Sequence, residues 1–197
     1  AVVGATDTEQ TTGAQVTIWA DTTAVPLDAG KETYVPIKVS VDSRYGIGAL
    51  QFNVYCDSQI ELVSVTNKKP TGIVYEGTEI MATSAMTDNF QAPMDNGAAR
   101  VLWAGSTALD TSKVACWAVV RAKSDTSAGS YEIHIGPYNN DTTSSPFKVI
   151  TIDGASANEE HPFEDVTLED GAAIVYNTLP MVALTKTTFD VPKMEDW

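Results

Sequence analysis

The residues best equipped for chemistry are two histidines, His134 and His161, two cysteines, Cys56 and Cys116, and an acidic run between residues 153 and 171. Two imidazoles give a catalytic triad or a histidine metal site almost no material. Serines are plentiful, but no G-x-S-x-G elbow sets one on a strained turn, and neither cysteine has an obvious base. A glycosidase needs two carboxylates held several Å apart across a cleft. Glu159, Glu160, Glu164, Asp165, Glu169 and Asp170 supply carboxylates, but so tight a cluster reads first as a solvated face. No EF-hand loop, P-loop or G-x-G-x-x-G turn occurs. The residue types argue for binding rather than catalysis, with no cofactor or metal expected in this chain.

The bulk numbers narrow the partners. A chain of 197 residues with 43% hydrophobic content can bury one sizeable core. With 12 Lys and Arg against 26 Asp and Glu, its formal charge of -14 repels phosphate backbones and anionic lipid alike. No apolar run approaches the roughly 20 residues that cross a bilayer, and the opening "AVVGATDTEQTTGAQ" has no basic start and no apolar core, so the chain is expected to be soluble. The two cysteines lack metal-ligand spacing and fall at inward strand positions, as buried thiols or as a bridge across the core.

The elements that must position any site are strands. Short segments rich in Val, Ile, Thr and aromatics recur between Gly, Asp, Asn, Ser and Pro, the rhythm of an all-β sandwich. Nine candidate strands follow: "AQVTIWAD", "TYVPIKVSVD", "GALQFNVYCD", "IELVSVTN", "TEIMATSAM", "ARVLWAGS", "VACWAVVRAK", "SYEIHIGPY" and "GAAIVY", with "KVITI" at 148–152 as a further short piece. Pro36 interrupts the second of these and implies an edge, a bulge or an unpaired amide there. Ser156, three residues before Glu159, is spaced as a capping box and predicts a short helix from about Ala157, limited by Pro162. A solvated acidic loop is the competing reading of that stretch. Residues 1–13 read as an N-terminal tail, 14–176 as the sandwich, and 177–197, with two prolines and no periodicity, as a C-terminal tail or linker.

In the third candidate strand Leu50, Phe52, Val54 and Cys56 share one side, while Ala49, Gln51, Asn53 and Tyr55 share the other. In the sixth, Val101 and Trp103 point to the core and Leu102 and Ala104 point out. The order of "AGKETYVPIKVSVD", "GIGALQFNVYCD" and "SQIELVSVT", and later of "NGAARVLWAGST" and "VACWAVVRAKSDTSAGSYEI", resembles that of a cohesin domain, the receptor module of cellulosome scaffold proteins. The likeness covers residues 14–176. A long acidic insert before "DGAAIVY", and "KETY" where Gly-Asp-Thr-Val is commoner, make it a divergent cohesin, similar to those of rumen-type cellulosomes.

The resemblance implies a nine-stranded jelly-roll β-sandwich, here with the short helix inserted between the eighth and ninth strands. The eighth, third, sixth and fifth strands would present a flat face to a dockerin, a helical module that carries its own calcium. It further implies an extracellular place, in a secreted or cell-surface cellulosome, and a monomeric module that contacts neither nucleic acid nor membrane. Carried over residue by residue, the dockerin-binding positions are Ala49, Gln51, Asn53 and Tyr55, then Leu102, Ala104, Gly105 and Ser106, with Tyr138, Asn139 and Asn140 after the eighth strand and Met81 and Thr83 on the fifth. Leu102 and Tyr55 are the candidate hot spots.

A second face competes. If Val16, Ile18, Val35, Ile37, Val39, Val114, Cys116 and Ala118 point inward, then Trp19, Tyr34 and Trp117 point outward on neighbouring strands. Such a platform would suit a carbohydrate-binding module. The other reading is that Phe163 or Leu168 of the insert, or Phe189 of the tail, covers these aromatics in a second small cluster.

Overall fold

The computed structural model describes residues 15–42, 46–68, 84–137, 149–153, 157–161 and 166–177. Among these the chain forms thirteen strands and no helix. They are β1 (Gln15–Ala20), β2 (Thr23–Pro26), β3 (Thr33–Asp42), β4 (Gly46–Cys56), β5 (Ile60–Thr66), β6 (Met94–Asp95), β7 (Ala98–Ala104), β8 (Cys116–Ala122), β9 (Gly129–Gly136), β10 (Val149–Asp153), β11 (Ala157–His161), β12 (Val166–Glu169) and β13 (Gly171–Tyr176). One sheet has the order β12-β1-β3-β8-β5. The other runs β11-β10-β4-β9-β13-β2, with β7 paired to β4 and β6 to β7. The two sheets pack as the sandwich expected, with a jelly-roll arrangement of strands.

Alternation builds the core. Ile18, Val35, Ile37 and Val39 from one sheet meet Ile47, Leu50, Phe52, Val54, Val101 and Ile133 from the other, all buried in a single cluster. Cys116 and half-buried Cys56 are free thiols. Burial pushes the Cys56 thiol up to about 12, with the charge of Asp57 adding to it, and raises that of Cys116 as well. Both stay protonated and unreactive at neutral pH.

The chain changes sheets twice at one place. After β1 it crosses at Asp21 and Thr22 into β2, and after β12 it crosses at Asp170 into β13. The new pairings are parallel, β1 with β12 and β2 with β13. At this crossing Gly171 lies so close to β1 that an added Cβ would sit 2.4 Å from the Ala20 carbonyl oxygen, so only glycine fits.

Pro36 sits in an inner strand rather than at an edge, opposite Trp117. Its carbonyl accepts the Asp21 N–H at 2.9 Å, one residue past the end of the β1 ladder at Ala20. In an antiparallel strand a residue's nitrogen and carbonyl share one side, so the proline nitrogen faces the place where the ladder has already ended. The unpaired-amide reading is the one realised.

The helix expected from Ala157 is instead strand β11, paired antiparallel with β10 from Val149↔His161 to Asp153↔Ala157. A capping box offers two hydrogen bonds to a helix too short to nucleate alone, whereas β10, itself docked on β4, offers a full backbone ladder. The "KVITI" piece is β10, and β2 and β12 are strands that the residue pattern does not separate from the flanking loops. Of the expected fifth strand, Ser84–Met86 are irregular and 78–83 lie outside the described residues.

Candidate protein-binding face

The outward side of β4 and its neighbours is one continuous surface. β4 has β7 along one edge and β10 followed by β9 along the other. The register sets Ala49 beside Ala104, Gln51 beside Leu102, and Asn53 between Arg100 and Gly136. Tyr55 comes next, beside His134. The parity read from the sequence holds, since Leu50, Phe52, Val54, Val101 and Trp103 are all buried on the opposite side.

The expected contact residues differ in how much of them reaches solvent. Tyr55 is 38% exposed. Ala104 and Ser106 are exposed, and Ala49, Gln51, Leu102 and Gly105 are half-buried. Asn53 departs from expectation: although it faces outward it is only 3% exposed and so is not an open contact group. The Oε1 of Gln51 is shielded from solvent and has no hydrogen-bond partner. Met81, Thr83, Tyr138, Asn139 and Asn140 lie outside the described residues.

Leu102 is pinned on both sides. Its backbone pairs with Gln51 of β4 and exchanges two hydrogen bonds with Gln91, at 2.8 and 2.9 Å. The strand therefore holds Leu102 in place while its side chain stays half in water. Gly105 has a packing reason to be glycine as well as its expected place in a contact loop. A Cβ there would lie 2.4 Å from the Trp103 ring and 2.8 Å from the Thr107 carbonyl oxygen.

Beside Tyr55 the face becomes polar. The Tyr55 and His134 rings stack at 4.7 Å with an interplanar angle of 23°. His134 lies 2.8 Å by Nδ1 from Asp170 Oδ2 and 3.2 Å by Nε2 from Asp57 Oδ1. Burial lowers the affinity of His134 for its proton, but the hydrogen bonds and charges of Asp170 and Asp57 outweigh it, and its pKa rises above the usual imidazole value. Asp57 is held below the usual carboxylate range, first by the Glu132 N–H and then by His134. Arg100 and Asp95 close the far side as an exposed ion pair at 2.9 Å.

Sequence reasoning misses this cluster, because two histidines in 197 residues look too few for a polar centre. The signal is nonetheless present, since Glu132 and His134 are two apart on one strand and so share a face. That Asp57 and Asp170 join them is a product of tertiary structure.

The competing aromatic platform does not form. Trp117 is 1% exposed, and Trp19 and Tyr34 are half-buried. The Trp19 indole N–H donates to Asp21 Oδ1 at 3.1 Å. Leu168, one of the residues expected to cover them, packs instead against the inter-sheet core, and Phe163 and Phe189 lie outside the described residues.

No protein-family model matches the chain, and no curated protein does. Solved structures do. The seventh ScaB type I cohesin from Pseudobacteroides cellulosolvens aligns with TM-score 0.59 at 17% identity, covering 85% of this chain and 96% of that one. The sixth cohesin of scaffoldin B from Acetivibrio cellulolyticus, solved with a dockerin, aligns at 0.53 and 22% identity over 84% of this chain and all (100%) of that one. The OlpC cohesin from Clostridium thermocellum, in a type I cohesin–dockerin complex, aligns at 0.54 and 17% identity over 83% and 94%. The chain has the cohesin fold, at identities that speak for the fold alone and not for a rumen or clostridial type.

Proposed function

We propose that this chain is a non-catalytic receptor module that docks a dockerin-bearing protein on the outward face of β4, β7 and β9, within an extracellular polysaccharide-degrading complex. The observation that carries the reading is the row formed by Ala49–Ala104 and Gln51–Leu102, ending at exposed Tyr55, on a sheet of cohesin fold. Small side chains let a helix approach the sheet closely, and a half-exposed leucine and a tyrosine supply the few anchors that carry most binding energy in such interfaces. Structural neighbours of this fold were solved with dockerins bound, which supports the same class of partner here. Calcium would enter with the dockerin, whose loops would hold it.

A panel of dockerins tested by pull-down, first with calcium and then with chelator, checks this. Retention of at least one, lost on chelation, is the expected result. No calcium-dependent binder across clostridial and rumen dockerin types would defeat the reading.

A further inference from the structure

Three segments bring their donors to one imidazole. The Nε2 of His134 is 3.2 Å from Asp57 Oδ1 and 3.8 Å from Glu132 Oε2. One donor atom from each of these residues lies within 4.8 Å of the others. Four-coordinate zinc holds nitrogen and oxygen ligands at about 2.0–2.2 Å, which sets them roughly 3.3–3.6 Å apart around a tetrahedron. The two measured separations bracket that range. One imidazole nitrogen with two carboxylates also matches the donor preference of zinc-type ions, whereas calcium takes six to eight oxygens.

A second feature points the same way. The far nitrogen of the imidazole, Nδ1, is 2.8 Å from Asp170 Oδ2, the carboxylate backing that metal-bound histidines carry. Without an ion Nε2–H faces Asp57 Oδ1; an arriving ion would displace that proton, while the Asp170 contact keeps the other on Nδ1 and holds Nε2 aimed at Asp57 and Glu132. We propose that Asp57, Glu132 and His134 form a site for a divalent transition ion of the zinc type, with Asp170 as a positioning residue and the fourth coordination place open to water.

The donors are arranged by contacts that need no ion. Asp57 uses Oδ2 to accept the Glu132 N–H at 2.9 Å, which leaves Oδ1 for the site. Asp170 uses Oδ1 to accept the Ile135 N–H at 3.0 Å, which leaves Oδ2 for the imidazole. Stacking on Tyr55 fixes the plane of the ring. Glu132, with its side chain 65% exposed, is the donor with freedom to close on an incoming cation. Once the imidazole has given up its Nε2 proton, the three carboxylates leave a formal charge of about -3, which a bound dication reduces to about -1. Every donor belongs to this chain, so the site stands apart from the docking reading and is tested without a partner.

The test is calorimetric titration of the chelator-stripped chain with Zn²⁺ near neutral pH, repeated with Co²⁺ followed by visible absorbance. One equivalent should bind saturably, Co²⁺ should develop the intense bands of a four-coordinate ion, and Ca²⁺ and Mg²⁺ should not compete. Glu132→Gln, a change confined to an exposed side chain, should weaken Zn²⁺ binding at least tenfold, and His134→Gln should remove it. Asp170→Asn should weaken it by about 10–100-fold. Thermal unfolding of each variant confirms that it is folded, and Zn²⁺ should raise the wild-type Tm while leaving that of His134→Gln unmoved. No saturable uptake by the folded chain, or equal uptake by wild type, Glu132→Gln and His134→Gln, would overturn the site and leave an imidazolium held between two carboxylates.

Discussion

Tyr55 on β4 and Trp117 on β8 each stand on the outward row of an inner strand, one in each sheet, yet Tyr55 is 38% exposed and Trp117 only 1%. Val119, next along the same row, is 3% exposed. Neither Trp117 nor Val119 belongs to the inter-sheet core, so β8 is covered on both its faces. β4 is covered on one face and graded on the other, from shielded Asn53 to open Tyr55. Outward parity and solvent contact are therefore separate properties. The first follows from the backbone's two-residue period, and the second depends on what lies over the sheet.

The comparison is broken most directly at Trp117. Trp117→Ala should cost about 3–5 kcal/mol, the usual range for emptying a buried aromatic site. In a chain of this size that is a fall in Tm on the order of 10 °C by thermal unfolding. A negligible shift would put the outer side of β8 in water after all.

At Leu102 the expectation reverses. If the proposed docking face is right, Leu102→Asp should weaken dockerin binding by roughly a hundredfold or more, since a charge placed at an apolar anchor of that face would be desolvated without a partner. The same variant should barely move the Tm, because the side chain is already half in water. A large loss of stability would mean that this face is as covered as the other.

A smaller effect separates the polar end of the open face from the apolar rows. The folded pKa of His134 is raised, so its contribution to stability is fully present below the unfolded value of about 6.5 and is lost as pH rises through the folded value. With chelator present, the Tm of wild type should fall relative to His134→Gln on going from slightly acid to slightly alkaline pH, and parallel profiles would remove the effect. Asp57 acts in the opposite sense. Its depressed pKa gives stability present above the usual carboxylate value and lost as acid carries the pH down through the folded one.

The smallest change is expected where the β8 row reaches water. Arg121 pairs with Glu61 through two hydrogen bonds of 2.8 and 2.9 Å, with side chains 35% and 42% exposed. Glu61→Gln should cost no more than about 0.5 kcal/mol in denaturant unfolding. A loss comparable to Trp117→Ala would show that the cover over β8 extends to its end.

Much of this is legible residue by residue. The polar row of β4, in which Ala49, Gln51, Asn53 and Tyr55 alternate with Leu50, Phe52 and Val54, sets which side is core through alternation alone. The double burial of β8 has a signal that parity reasoning passes over, since "VACWAVV" is an uninterrupted apolar run with no polar face to offer water. The β10–β11 hairpin is hidden behind a local capping pattern, because the ladder that wins there comes from a strand docked on β4, a contact about a hundred residues away in sequence.

By itself the sequence determined an all-β sandwich, its core and the parity of the strands that carry the proposed docking face, because the two-residue period of a strand is a local property of the backbone. Only the tertiary structure decided that Trp117 is covered, that Asn53 is shielded, and that Asp57, Glu132 and Asp170 gather around the His134 imidazole. Those facts depend on which segments lie over or beside one another, and His134 is separated from Asp57 by 77 positions and from Asp170 by 36. Separations of that size are closed by the folding of the two sheets, and no local pattern records them.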